Sequence, residues 1–269
     1  MTPEQQKLRR LLRIALPVLL AVLVLLTALL LIRKFRNVQQ TAELPEVAHN
    51  TYRTDGFYRE DGFLRYADAP HMVGVDVSAH QEDIDWEAVA AAGVEFAIIR
   101  AGYRGSTEGG LYEDAFFRAN VEGAQAAGLQ VGVYFFSQAR NAAEAREEAE
   151  YACSLIDGYT LSLPVFYDWE TVAGSERVPS PEGIPMTDCA LAFCETVENC
   201  GNAAGVYFNQ TYGYLYLDLD ELQGYTLWLA EYNDVPTFSY SFDCLQYTDS
   251  GVVDGISVPV DLNLLIIRE

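Results

Sequence analysis

The run Leu163-Pro164-Val165-Phe166-Tyr167-Asp168-Trp169-Glu170 reads as a buried strand that ends in two carboxylates. Side chains alternate faces along a strand, so Asp168 and Glu170 point the same way. Two carboxylates aimed into one cavity point to acid chemistry on a glycosidic bond. A lone Asp-x-Glu triplet also occurs at plain solvated strand ends. Its meaning therefore rests on what surrounds it.

Working outward, short apolar runs alternate with helical patterns from Met72 onward. Strands are predicted at Met72 to Val77, Phe96 to Arg100, Gln130 to Phe136, Leu163 to Asp168, Ala204 to Phe208, Thr226 to Ala230, Cys244 to Tyr247 and Val258 to Asn263. Helices are predicted at Asp85 to Ala92, Tyr112 to Ala127 and Ala142 to Asp157, each stopped by a following glycine. Asn141 is placed to cap the third of these. Thr187 is placed to cap a fourth, whose apolar stripe Ala190, Leu191, Cys194 and Val197 ends before Gly201. Strand and helix alternating in this way imply an α/β fold with a parallel sheet, either a closed barrel or a doubly wound sheet. Eight strands favour the barrel, and after the fifth the helical patterns fade. In such a barrel the functional groups gather where strands end.

The N-terminal part has a different character. Ile14 to Ile32 carries no charged side chain and is long enough to cross a bilayer as a helix. It runs directly into Arg33-Lys34-Phe35-Arg36 rather than into a small-residue cleavage site, which favours an uncleaved signal anchor over a removable signal peptide. The expected organisation is a short cytoplasmic tail (1–13), a transmembrane helix (14–32), a juxtamembrane stalk (33–70) and a barrel domain (71–269). The stalk contains Asp55-Gly56-Phe57 and Asp61-Gly62-Phe63, two hairpin signals. The expected location is a single-pass membrane protein with the large domain outside the cytoplasm. That orientation leans on the size of the C-terminal part, since basic residues flank both sides of the span.

Beyond residue 36 the chain has 10 Arg and no Lys against 38 acidic residues. Such a domain repels nucleic acid, which excludes phosphate-backbone binding as a function. Five cysteines lack zinc spacing, and three histidines are too few for a histidine metal site, so no metal or cofactor is expected. Buried, unpaired thiols are the expectation for the cysteines, with a bridge from Cys153 or Cys244 to a helix cysteine left open. A monomer is assumed.

The motifs Gly74-Val75-Asp76-Val77-Ser78, His80-Gln81, Ile84-Asp85-Trp86, Phe166-Tyr167-Asp168-Trp169-Glu170, Leu227-Trp228-Leu229-Ala230-Glu231-Tyr232, Gln246-Tyr247 and Val260-Asp261-Leu262-Asn263 resemble the glycoside hydrolase family 25 lysozymes, in order, from about residue 72 to 265. The resemblance implies an irregular TIM-like barrel of five β/α units followed by three strands. It implies hydrolysis of the β-1,4 bond between N-acetylmuramic acid and N-acetylglucosamine in peptidoglycan. It assigns Asp76, Asp168, Glu170 and Asp261 to the active site, with Glu170 as general acid and Asp168 stabilising charge at the sugar. Whether Asp168 attacks the anomeric carbon or orients the substrate's acetamido group to attack stays open, the acetamido route with net retention being the better fit.

Tyr103, Tyr134, Phe136, Tyr207, Trp228 and Tyr232, near strand ends, are expected to form the sugar platform. Gln138, Asn209 and Gln246 are expected to bond sugar hydroxyls. Glu82-Asp83 stand where the family commonly has a glycine, and Phe135-Phe136 replace a stretch that often carries a histidine. Neither change touches the four acids. The competing expectation is a catalytically silent barrel that binds glycan or recruits wall proteins.

Overall fold

In the computed structural model, which describes residues 47–178 and 180–267, strand alternation separates two apolar layers. Residues such as Val75, Ala97, Ile99, Val133, Tyr167 and Phe208 face outward and pack under the helices. Phe96, Ile98, Tyr134, Phe166, Tyr207 and Trp228 face the interior. Each buried side chain of this kind contributes about 1.5–3 kcal/mol relative to exposure. The interior is tight enough that a Cβ on Gly74 would lie 2.5 Å from the Phe96 ring.

A hairpin comes first, β1 (Phe57–Glu60) and β2 (Phe63–Tyr66). The barrel strands follow as β3 (His71–Val77), β4 (Phe96–Arg104), β6 (Gln130–Ser137), β7 (Val165–Trp169), β8 (Ala204–Asn209), β9 (Thr226–Ala230), β10 (Cys244–Gly251) and β11 (Val260–Ile266), with β5 (Leu111–Glu113) a short edge strand on β4. Strands β3, β4, β6, β7, β8, β9 and β10 pair in parallel in that order. The last strand, β11, runs antiparallel to both β10 and β3 and closes the ring. Helices α1 (Trp86–Ala91), α2 (Phe117–Ala126), α3 (Ala142–Ile156), α4 (Met186–Asn199) and α5 (Gln210–Leu215) follow β3, the β4–β5 pair, β6, β7 and β8. Five β/α units and three further strands is the expected barrel.

Local capping explains most helix starts and corrects two. Asp85 and Asn141 cap α1 and α3 through their side chains, as their sequence positions suggest. The helix expected from Tyr112 instead begins at Phe117. Leu111–Glu113 pair with β4, and the buried Asp114 turns the chain by accepting from the Phe116 and Ala79 amides at 2.9 and 3.0 Å. Thr187 does not cap α4. It lies inside the helix, and its Oγ1 accepts from the Asp218 amide at 2.8 Å.

The expected stalk also needs revision. From Val47 onward the chain belongs to the same compact unit as the barrel. Asp61 and Gly62 both have positive φ, 51° and 87°, as a two-residue hairpin turn requires, whereas Asp55-Gly56 sits in a 3-10 turn. Phe63, Leu64 and Tyr66 are buried, and the Leu64 amide donates to the Tyr247 hydroxyl at 3.2 Å. The hairpin therefore docks through its apolar face. The tail, the transmembrane stretch 14–32 and residues 33–46 lie outside the described residues; among the described residues no helix is long and apolar enough to cross a membrane. All five cysteines are free thiols, Cys189, Cys194 and Cys244 buried, Cys153 half-buried and Cys200 exposed.

Candidate active site

The C-terminal strand ends open into a cleft of about 800 Å³. Asp76, Asp168, Glu170 and Asp261 all line it. Phe166 and Asp168 share the inward face of β7, and Glu170 follows one residue past the strand. Asp261 sits directly opposite Asp76 in the β3–β11 pair. The first and last barrel strands thus bring two carboxylates together that are 185 positions apart.

A hydrogen-bonded frame holds them. Asp76 Oδ2 accepts from Asn263 Nδ2 at 2.7 Å and from Gln246 Nε2 at 2.9 Å. Gln246 Nε2 also donates to Asp261 Oδ2 at 3.3 Å, while its Oε1 accepts from the Tyr207 and Tyr232 hydroxyls at 3.0 and 3.2 Å. Asn263 Oδ1 accepts from Trp228 Nε1 at 2.8 Å. Asp168 differs from these, because its buried Oδ1 has no partner among the described residues.

Electrostatics follow from crowding these acids in one buried place. Burial pushes Asp261 up to about 9, with the neighbouring Asp76 charge and the hydrogen bond between the two adding to the rise. Burial also raises Asp76, against the pull of its Asn263, Gln246 and Asp261 hydrogen bonds. Asp261 therefore holds the proton of this pair and Asp76 accepts it. Asp168 is raised well above the usual carboxylate range by burial, then by Glu170 and Asp76. Glu170 is raised by burial, held back by the Tyr207 hydroxyl beside it. Repulsion between two such neighbours disfavours the state in which both are ionised.

Of the expected sugar contacts, Tyr103, Tyr134, Phe136, Tyr207, Trp228 and Gln246 line the cleft. Trp228 is only 1% exposed and Gln246 3%, so Trp228 serves as floor and Gln246 as the connector of the frame. Tyr232 stands outside the lining with an exposed ring, tied in through Gln246. Two expectations are corrected. Gln138 is fully buried and its Nε2 donates to the Glu170 carbonyl, so it braces the backbone of the acid instead of meeting sugar. Asn209 caps α5 by accepting from the Tyr212 amide at 3.0 Å, and so turns away from the cleft.

Several contributors were not singled out from the sequence. Arg100 lines the cleft from the inward face of β4 and donates to Asp114 at 2.7 Å. Glu148 of α3, fully buried and pushed up to about 7 by burial, accepts from Ser137, Arg104 and the Gln138 amide behind the site. The strand-end rule that selected Tyr103 also covers Arg100, which terminates the run predicted there. Glu148 gave no signal, since it looks like any helix carboxylate.

An autolytic lysozyme of Clostridium acetobutylicum is 31% identical over 195 residues, which cover 71% of this chain and 55% of that protein. Lysozyme M1 of Streptomyces globisporus is 38% identical over 107 residues, 39% of this chain and 34% of its own. The chain thus spans about half or less of the length of these two curated relatives. The modular autolysin LytC from Streptococcus pneumoniae, solved in complex with a synthetic peptidoglycan ligand, superposes with a TM-score of 0.63 at 25% identity, over 78% of this chain and 52% of that one. A family 25 glycosyl hydrolase from Bacillus anthracis shares the fold, with a TM-score of 0.62 at 24% identity over 76% and 93% of the two chains. The family model described as glycosyl hydrolases family 25 matches residues 75–256, and the chain belongs to that family.

Proposed function

We propose that the protein is a peptidoglycan hydrolase, a muramidase that cleaves the β-1,4 bond between N-acetylmuramic acid and N-acetylglucosamine with net retention. The observation that carries this reading is the unequal pair at the β7 end. Glu170 sits at the cleft with a raised pKa, and Asp168 beside it presents a buried oxygen without a partner. A raised pKa keeps Glu170 protonated until it delivers its proton to the leaving glycosidic oxygen. The free Asp168 oxygen is suited to accept the N–H of the substrate's 2-acetamido group. Its carbonyl oxygen is then oriented to attack the anomeric carbon as the glycosidic bond breaks. Glu170, now ionised, removes a proton from the incoming water, which opens the cyclic intermediate with the original anomeric configuration. Asp76 and Asp261 hold the pocket floor and keep the local charge negative where the sugar becomes positive. Tyr103, Tyr134, Phe136 and Tyr207 supply apolar faces for the sugar rings.

The peptidoglycan complex of the similar pneumococcal autolysin supports the substrate class. The charge-free stretch Ile14 to Ile32 supports a single-pass anchor that holds the catalytic domain at the wall, outside the cytoplasm. The test is digestion of purified peptidoglycan followed by identification of the new ends. Reducing N-acetylmuramic acid is expected, formed first as the β anomer by NMR. Reducing N-acetylglucosamine, or no cleavage, sinks the proposal.

A further inference from the structure

The charged side chains that line the cleft are mostly acids, the four at its floor joined by Glu108, Glu113 and Asp114. Its cations are therefore informative. Arg104 is fully engaged: Nε meets Glu148 at 2.6 Å, Nη1 the Gly109 carbonyl at 2.9 Å, and Nη2 the Glu144 carbonyl and Glu147 at 2.9 and 3.1 Å. Arg100 is not. Its Nε donates to Asp114 Oδ2 at 2.7 Å, and its guanidinium lies 5.4 Å from the centre of the Tyr103 ring. Among the described residues, its two terminal nitrogens have no hydrogen-bond partner and no other carboxylate approaches within 4 Å. The side chain is 14% exposed, and that exposure is to the cleft.

The orientation is fixed on three sides. Asp114 is itself pinned by the Ala79 and Phe116 amides, Tyr103 covers one face of the guanidinium, and β4 supplies the inward direction shared with Phe96 and Ile98. The charge stands close enough to Asp168 and Tyr134 to oppose the rise of both. What remains is a planar pair of donors with a full positive charge, facing a sugar site whose other charges are negative. Two parallel N–H groups match a carboxylate bidentately, whereas a neutral amide gains far less from them. Near the other acids of the lining a negative group would be repelled.

We propose that Arg100 is a specificity-determining contact that binds the free lactyl carboxylate of an N-acetylmuramic acid residue carrying no stem peptide. This rests on the muramidase reading above. The lactyl group is the sole fixed anion of the bare glycan strand, and it hangs from the ring next to the 2-acetamido group that Asp168 orients. Joined to a peptide, the same group becomes a neutral amide and Arg100 loses its ion pair. The enzyme then acts best downstream of a reaction that hydrolyses the amide between lactyl group and stem peptide.

The test uses the full chain on glycan strands stripped of peptides by an amidase, and on the same strands with the lactyl carboxylates methyl-esterified. For the native protein, esterification is expected to lower kcat/KM by at least about tenfold, chiefly through KM. In Arg100→Gln the ratio between the two strands is expected to collapse to about one, and in Arg100→Lys, which keeps charge but not the fork, to about threefold. Equal turnover of both strands by the native protein overturns the proposal. So does an undiminished ratio in Arg100→Gln or, if that variant does not fold, in Arg100→Lys. Absence of turnover on every strand overturns the muramidase reading and this inference with it, and is distinguishable because it precedes any ratio.

Discussion

At the N-terminal ends of its strands the barrel interior is filled by Met72, Phe96, Phe166 and Cys244, while at the C-terminal ends the same strands deliver Asp76, Arg100, Asp168 and Gln246. The inward positions of both halves are set by one alternation, two residues per step. Below, Gly74 leaves room for the Phe96 ring, and nothing polar needs a partner. Above, Asp76, Gln246 and Asp261 are tied into one frame, while one oxygen of Asp168 and the terminal nitrogens of Arg100 are left without partners among the described residues. A rigid apolar plug can thus support a group of carboxylates that would otherwise push the strand ends apart. The two halves should separate under mutation.

The largest expected effect tests the upper half. Glu170→Gln should lower kcat on peptidoglycan by about 10³-fold, a loss typical of a positioned general acid, with the thermal midpoint nearly unchanged. Retained turnover would refute the assignment. Phe166→Ala addresses the lower half, and calorimetry should find it destabilised by about 3–5 kcal/mol, as for other buried phenylalanines. A stable Phe166→Ala variant would break the division between support and chemistry.

A pH series sharpens the contrast further. The Asp261 carboxyl ionises near 9 in the folded chain and in the ordinary aspartate range when unfolded, so between those values the folded state holds the extra proton. Its contribution to stability is fully present below the unfolded pKa and is lost as pH rises through the folded one. The melting temperature should therefore fall from about pH 4 to pH 9, less steeply in Asp261→Asn. An unchanged slope in that variant would show that the pair does not share a proton in this way. The smallest effect belongs outside the cleft. Asn209→Ala removes a helix cap and should cost about 1 kcal/mol in stability while leaving kcat and KM as they are. A raised KM would return Asn209 to the sugar site.

The barrel was legible because alternation, glycine stops and capping residues agree locally, and the four acids because Asp76, Asp168 and Glu170 fall at the ends of predicted strands and Asp261 within the last one, all on motifs that resemble the family's. The same rule misplaced Gln138 and Asn209. Both continue the inward parity of β6 and β8, but at a strand end a side-chain amide is free to serve the backbone instead. Gln138 took the Glu170 carbonyl and Asn209 the first turn of α5. The helix expected from Tyr112 failed for a tertiary reason, since Asp114 is drawn inward by Arg100 and that pairing is invisible in local spacing. Glu148 escaped notice likewise, its partners lying 10 to 44 positions away.

The antiparallel return of β11 against β3 has a consequence for timing. Until Val260–Ile266 docks, β3 and β10 have bare edges, Asp76 lacks both Asn263 and its partner carboxylate, and the cleft lacks one wall. Contacts spanning nearly the whole domain are among the slowest to form. Closing the ring with β11 is therefore a late step of folding, and it is this step that completes the Asp76–Asp261 pair and the wall of the cleft.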